Sequence, residues 1–213
     1  MTKNTKRALI EKTYEILKHE GADKLKIRYI ADQIGCTSTT IYRHFADLDE
    51  LVCFASVQFL QEYYKDFRRT MNESKLNILE KNLMLWERFS RYAFENAQVY
   101  NMLFWGKYRA NLGDIIFQYY EIFEQEDDAF DGFSATILFN SDMRDRELIM
   151  ERRAAAAGFF DSKDVEVLSD LVTSLFHGIL IEYIDRKDPE RVEEGTERFM
   201  KLLRSAYQKY RKQ

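Results

Sequence analysis

The feature that most limits the fold of this chain is its shortage of residues that interrupt helices. The 213 residues include one proline, Pro189, and only eight glycines, while 46% are hydrophobic and 32% are charged. Proline and glycine end helices and shape the turns between strands, so long helices joined by short turns fit this sequence better than many strands. The length suits one large domain or a small module joined to a larger one. We therefore predict an all-α protein.

The first 45 residues follow the pattern of three short helices. Apolar residues recur at helical spacing from Thr5, and Gly21 is suited to end that first helix. A second helix is predicted over 27–34. A third begins with Thr37 as its amino-terminal cap.

The second and third of these helices have the spacing of a helix-turn-helix. Gly35 permits a positive φ in the turn between them. Ala31 is small enough for the two helices to approach closely, and Ile41 is placed to fill the angle between them. In such a motif the later helix enters the major groove of DNA, so the sequence predicts a DNA-binding head.

The distribution of charge supports this prediction. The net charge is −4, but residues 1–45 carry nine Lys and Arg against five Asp and Glu, a charge of +4, so the remainder carries −8. No acidic residue occurs over 33–46, and the predicted third helix carries hydroxyls and cations instead. A basic head on an acidic body indicates that only the head meets a polyanion.

The rest of the chain is predicted to be helical throughout. The helical periods and turn residues place helices at about 48–70, 75–95, 143–157, 162–186 and 189–211, shorter segments over 98–123, and an acidic loop at "EQEDDAFDG". Pro189 suits the first turn of the last helix.

The run "GADKLKIRYIADQIGCTSTTIYRHFADLDEL" resembles the tetracycline-repressor (TetR) family of bacterial regulators. The positions that carry the resemblance are Gly21, Ile30, Ala31, Gly35, Thr37, Tyr42, His44, Phe45 and Leu51. It covers about the first quarter of the chain, and Gly158 and Gly178 extend it loosely. The resemblance implies a head over 1–47 and a ligand-binding and dimerisation body over 48–213. It also implies a homodimer on a palindromic operator, with a pocket in the body for a small effector molecule.

The resemblance further implies which residues contact DNA. Tyr42 and His44 are expected at the phosphate backbone, and Thr39 and Arg43 at base edges. This chain has Lys26 where the family usually caps the second helix with Ser or Thr, and Leu48 where a lysine is common. Lys26, Arg28, Lys3, Lys6 and Arg7 are then expected to supply more of the affinity. The complete predicted set is Lys26, Arg28, Thr37, Ser38, Thr39, Thr40, Tyr42, Arg43 and His44.

Aromatic residues are concentrated between Trp86 and Phe123, where 12 of 38 residues are Phe, Tyr or Trp. Most such residues belong to ordinary cores, but collectively they suggest an apolar cavity for a planar ligand. The charge of −8 in the body favours a neutral or cationic one. His177 is expected either in the cavity or at a subunit interface. The predicted pocket residues are Trp86, Phe89, Phe104, Trp105, Tyr120 and His177.

The two carboxy-terminal helices each carry an apolar stripe, which is more apolar surface than one body needs to cover. Paired across a two-fold axis, they would form a four-helix interface. The predicted interface residues are Leu168, Leu171, Val172, Leu175, Ile179, Tyr183, Phe199 and Leu203.

An enzymatic alternative rests on the run "DDAFD" at 127–131, which matches the D-D-x-x-D pattern of magnesium-dependent isoprenoid synthases. No second metal motif accompanies it, so a solvated acidic loop is favoured, and we predict no enzyme activity, catalytic residue, metal or cofactor.

Cys36 and Cys53 form no metal or disulfide framework. Uncharged runs are too short to cross a bilayer, and a cytoplasmic protein is expected.

Overall fold

A computed structural model describes residues 3–123, 132–186 and 188–212 of the chain, which form twelve α-helices joined by short turns. An isolated bridge between Phe160 and Arg211 is the only strand-like pairing in these described ranges. The predicted all-α class is confirmed. None of the described helices is long and apolar enough to cross a membrane.

The amino-terminal head consists of α1 (Lys3–His19), α2 (Ile27–Ile34) and α3 (Ser38–Tyr42). Its core contains the apolar residues that the helical period placed inward, each at most 2% exposed: Leu9, Ile16, Ile30, Ile41 and Phe45. Burial of these side chains leaves the polar sides of α2 and α3 on the surface, where they can meet another molecule.

The described part of the body contains nine helices: α4 (Leu48–Ser56), α5 (Gln61–Asn72), α6 (Ile78–Glu95), α7 (Ala97–Trp105), α8 (Leu112–Phe123), α9 (Gly132–Leu138), α10 (Met143–Ala156), α11 (Val165–Tyr183) and α12 (Arg191–Tyr210). Residues 124–131, most of the predicted acidic loop, lie outside the described residues, and so does the run 127–131. Pro189 precedes α12 rather than standing in its first turn, since Glu190 is the cap of that helix.

The single helix predicted over 48–70 is α4 and α5 in the structure, with a turn of 3-10 helix at 57–60 between them. This turn contains no glycine or proline. Contacts with other helices accompany the change in winding. The ring of Phe59 lies 5.0 Å from that of Tyr14, and the Tyr100 hydroxyl donates to the Phe59 carbonyl over 3.2 Å. Tertiary contact, and not a residue that breaks helices, thus marks the break.

The body packs around Phe176 of α11, which has no exposed surface. Its ring lies 5.3 Å from those of Trp86 and Phe89 in α6, and 5.1 Å from that of Phe199 in α12. Such tilted aromatic contacts add to the stabilisation from burial alone. At Gly195, a Cβ atom would lie 2.9 Å from the Phe94 ring, so α12 approaches α6 more closely than a larger residue would allow.

Head and body meet at Asp47, the cap residue of α4. Its Oδ1 accepts the Glu50 amide over 2.9 Å, and its Oδ2 accepts bonds from Lys107 and Tyr108, which follow α7. Hydrogen bonding by Lys107 is the main cause that lowers the pKa of Asp47. Asp47, which lies five residues after the end of α3, is therefore tied to the body.

Candidate nucleic-acid interface and effector cleft

The turn between α2 and α3 has the geometry that the sequence predicted. Gly35 adopts φ 74° and ψ 34°, the left-handed conformation that glycine allows most readily. The Cys36 amide donates to the Ala31 carbonyl over 2.9 Å. Ala31 is 2% exposed and Ile41 is fully buried, so both fill the angle between the helices.

The first turn of α3 is held by threonine hydroxyls. The Thr37 hydroxyl accepts the Thr40 amide over 3.3 Å, and the two side-chain oxygens lie 3.1 Å apart. The side chain of Lys26 makes no corresponding bond at the start of α2. Lys26, which stands where the family usually has a capping Ser or Thr, is exposed instead. No partner for its ammonium group lies among the described residues, so the group is available to another molecule.

The outer surface of α2 and α3 presents an exposed cluster of predicted DNA contacts. Tyr42 is 56% exposed, which is unusual for a large aromatic side chain. Among the described residues, no carboxylate pairs with Lys26, Arg28 or Arg43. The structure exposes Lys26, Arg28, Thr37, Thr39, Tyr42 and Arg43, and half-buries Ser38, Thr40 and His44. Unpaired cations beside hydroxyls favour an approaching phosphate.

Two further cations of the head, Lys6 and Arg7, contact side chains of the body. The Lys6 ammonium lies 4.3 Å from the Phe54 ring centroid and 3.4 Å from the Gln118 side-chain oxygen, and its burial lowers the pKa of this lysine. Arg7 is paired with Glu11 over 2.8 Å and lies over the Phe123 ring. In this conformation both cations therefore contribute to the contact between head and body. Lys3 has no described side chain.

The predicted subunit interface needs a correction. Six of its eight residues are at most 3% exposed within the single chain, because they pack against other parts of the same chain: Leu168, Val172, Ile179, Tyr183, Phe199 and Leu203. Leu175 is half-buried, and Leu171 is 41% exposed. The surface that remains free on these helices is a different one, which we call the exposed apolar face: Val167, Leu171, Ser174, Gly178, Ile181 and Leu202.

The six residues of the predicted ligand pocket do not lie around one cavity in the structure. Trp86 and Phe89 line a cavity of about 30 Å³, which has room for about one water molecule. The aromatic rings fill most of this region by packing against one another, so Trp86 and Phe89 leave little room for a ligand in this conformation. Tyr120 lies elsewhere and donates its hydroxyl to the Gln61 side chain over 3.2 Å.

Two buried acids beside this small cavity were not expected from the sequence. Glu147 accepts bonds from Tyr207 over 2.6 Å, from Trp86 over 2.8 Å and from Asn82 over 3.1 Å. Glu151 accepts a bond from Ser169, and its Oε1 has no hydrogen-bond partner. Burial, followed by the charge of Glu147, raises the pKa of Glu151 to about 10.

The two acids differ in how well hydrogen bonds compensate for their burial. Three donors favour the carboxylate form of Glu147 and oppose the effect of its burial, whereas the poorly satisfied Glu151 holds a proton at neutral pH. Burial raises the pKa of Glu147 as well. Its partners lie more than 50 residues away along the chain, so only the fold reveals the cluster.

The remaining three predicted pocket residues line a larger cleft of about 360 Å³. Phe104 is buried, and the rings of Trp105 and His177 stack at 4.1 Å with an angle of 3° between their planes. His177 Nε2 lies 3.0 Å from Asn101 Oδ1, and burial lowers the pKa of His177. We call this site the effector cleft. Its other lining residues are Arg109, Ala110, Ser141, Asp142, Met143, Arg144, Thr173 and Ser174.

Comparison with known proteins supports the interpretation of the head. Residues 9–52 match the family model described as bacterial regulatory proteins, tetR family. An HTH-type transcriptional regulator of Staphylococcus aureus is 21% identical over 145 residues, which are 65% of this chain and 78% of that protein.

Solved structures share the fold of the whole chain. A putative TetR-family regulator from Mesorhizobium loti gives a TM-score of 0.59 at 13% identity and covers 100% of both chains. The ketosteroid transcriptional regulator KstR2 of Mycobacterium tuberculosis gives 0.54 at 17% identity, with 98% and 96% covered. Thermus thermophilus FadR, a TetR-family repressor solved with lauroyl-CoA, gives 0.53 at 13% identity, with 94% of each covered.

The matched family model covers α2 and α3, which form the helix-turn-helix. The helical body has the same fold as the solved regulators. The head is therefore identified as a DNA-binding domain of the tetR family, and the chain shares the fold of solved TetR-family regulators.

Proposed function

We propose that the chain is a repressor that binds a palindromic operator as a homodimer and is released from it by a small effector. The observation that carries this proposal is the exposed cluster on α2 and α3, where Lys26, Arg28 and Arg43 have no acidic partner among the described residues. Cations left unpaired by their own chain bind a polyanion without first breaking an ion pair.

Within this proposal, residues 1–47 form the DNA-binding unit and residues 48–213 the body. Tyr42 and His44 contact the phosphate backbone, and Thr39 and Arg43 contact base edges, where arginine pairs well with guanine and a threonine methyl group with thymine. Thr37, Ser38, Thr40, Lys26 and Arg28 complete the surface that meets the DNA backbone.

The homodimer is proposed to form through the exposed apolar face of α11 and α12. Val167 and Ile181 are 55% and 51% exposed in the single chain, so they are available to a second copy. Between them Ser174 and Gly178 are small, and nothing lies within 4 Å of the position of a Gly178 Cβ atom. Small residues between larger apolar ones let two helices pack closely, and a two-fold axis would bring the same face of each chain together.

The effector is proposed to be small and mainly apolar, with a planar part. The effector cleft supports this, since Phe104, Met143 and the stacked rings of Trp105 and His177 supply its apolar surface. Related folds include a regulator named for ketosteroids and one solved with lauroyl-CoA. Occupancy would change the separation of the two heads, and half-sites about one helical turn apart tolerate little error.

Selection of bound DNA from a random pool tests the proposed function. The expected product is an inverted repeat whose two halves are related by two-fold symmetry, bound by two chains. Affinity for it should fall steeply as salt increases, because bound cations release counterions from phosphate. Recovery of no common sequence, or of a single unrepeated half-site, would contradict the proposal.

A further inference from the structure

The effector cleft differs in polarity from the rest of the body. Its wall is formed by the end of α7, the segment that follows it, the start of α10 and the middle of α11. The body carries a charge of −8, yet the charged residues that line the cleft are Arg109, Arg144 and Asp142. The lining therefore carries two arginines against one aspartate, and charges close to a bound ligand act on it more strongly than distant charges do.

The three charged residues are not equally available to a ligand. Arg144 forms ion pairs with Asp170 and Asp145, and Asp142 accepts the Arg144 amide over 2.8 Å as the cap of α10. Arg109 is exposed and has no ion-pair or hydrogen-bond partner among the described residues for its guanidinium group. Arg109 is thus the cation of the cleft that remains free to bind an anion.

Hydroxyl groups add further donors. Ser141 accepts the Gly113 amide over 3.0 Å, which leaves its own hydroxyl hydrogen free to donate. No bond engages the Ser174 side chain in the described part of the chain. The lining thus offers hydroxyl donors in addition to Arg109, and such donors suit a negatively charged oxygen.

Aromatic surface completes the site. Trp105 and His177 are both half-buried and fixed in one parallel stack, and His177 is held further by Asn101. Fixed rings bind a planar apolar group with little loss of side-chain entropy. We propose that the effector cleft binds an organic anion, with its planar apolar part against the rings of Trp105 and His177 and its anionic group on Arg109.

This inference rests on the proposed function, because it names the chemical class of that effector. It also replaces the expectation of a neutral or cationic ligand, which was based on the net charge of the body. The lining of the cleft, and not the total charge, determines which ligand is complementary.

A pair of matched probes tests the proposal without DNA. 8-Anilinonaphthalene-1-sulfonate and N-phenyl-1-naphthylamine share the same rings, but only the first carries a sulfonate. We expect the sulfonate to bind more tightly to the wild-type chain and to lose about fivefold in affinity in Arg109→Gln, the size of one partly exposed charged contact. Binding of the uncharged probe should change less than twofold.

Arg152→Gln is the matched control, because it removes an exposed arginine of α10 that pairs with Glu166 and does not line the cleft. It should bind both probes as the wild type does. Equal affinity of the wild type for the two probes, or an unchanged affinity of Arg109→Gln for the sulfonate, would overturn the proposal. Since no DNA is present, that result is distinct from a failure of operator binding.

Discussion

The ammonium group of Lys107 lies 2.5 Å from Oδ2 of Asp47, which caps α4 a few residues after α3. Tyr108 donates its hydroxyl to the same oxygen over 3.0 Å. Trp105 and Arg109, on either side of these two residues in sequence, line the effector cleft. One segment of five residues therefore contacts both the cleft and the junction that carries the DNA-binding head.

Removal of this ion pair should loosen the junction. In Lys107→Ala we expect faster hydrogen exchange at the Glu50 amide, which Asp47 accepts over 2.9 Å, because the capping carboxylate loses its fixed position. Hydrogen exchange followed by mass spectrometry over residues 44–52 measures this change.

Lys163→Ala is the control for that experiment, since Lys163 is exposed and distant in sequence from the junction. Exchange over residues 44–52 should be unchanged in this variant. Identical exchange in the wild type and Lys107→Ala would show that the contact does not hold the junction.

The buried acid pair should make stability depend on pH. Between the ordinary glutamate pKa and about 10, folded Glu151 keeps a proton that the unfolded chain has lost. The free energy of unfolding should therefore fall as pH rises through this window, with a slope of at most about 1.4 kcal/mol per pH unit for one proton.

Glu151→Gln retains the shape of the side chain but removes its ionisation. We expect this variant to show a flatter dependence on pH and to be more stable than the wild type at pH 8, as measured by urea unfolding at several pH values. Glu121→Gln changes an exposed glutamate of α8 and should behave as the wild type. A wild-type stability that rises from pH 6 to pH 9 would contradict the assignment of a raised pKa.

The proposed subunit interface predicts which substitutions yield monomers. Leu171→Glu places a charge on the exposed apolar face and should shift the chain from dimer to monomer in sedimentation at micromolar concentration. Phe117→Glu changes a residue that is 57% exposed on α8, outside that face, and should leave the dimer intact. A wild-type chain that sediments as a monomer would refute this interface.

The sequence was sufficient to predict the head because its determinants are local. Gly35, Ala31 and Ile41 lie within ten residues of one another, and each has a steric role that spacing alone reveals. The all-α class also follows from local properties, namely helical periodicity and the shortage of proline and glycine.

The body was less predictable because its determinants are long-range. An apolar stripe indicates that one face of a helix is buried, but it does not show whether the same chain or a second subunit covers that face. Leu168 and Val172 are buried in the core of their own chain. Aromatic density likewise does not distinguish a filled core around Phe176 from an open cavity. The charge of the cleft depends on Arg109 and Arg144, which are 35 residues apart and meet only through the fold.

The most direct test of the account is a fluorescence anisotropy titration of the selected inverted repeat with the wild type, Tyr42→Ala, Arg43→Ala and Phe117→Ala. Tyr42→Ala should lose about tenfold in affinity for every sequence, as expected for a lost phosphate contact. Arg43→Ala should in addition lose discrimination at one position per half-site, by ~1–3 kcal/mol. Phe117→Ala should bind as the wild type does. Equal affinity of the wild type and Tyr42→Ala, together with unchanged specificity in Arg43→Ala, would contradict the claim that the outer surface of α2 and α3 binds the operator.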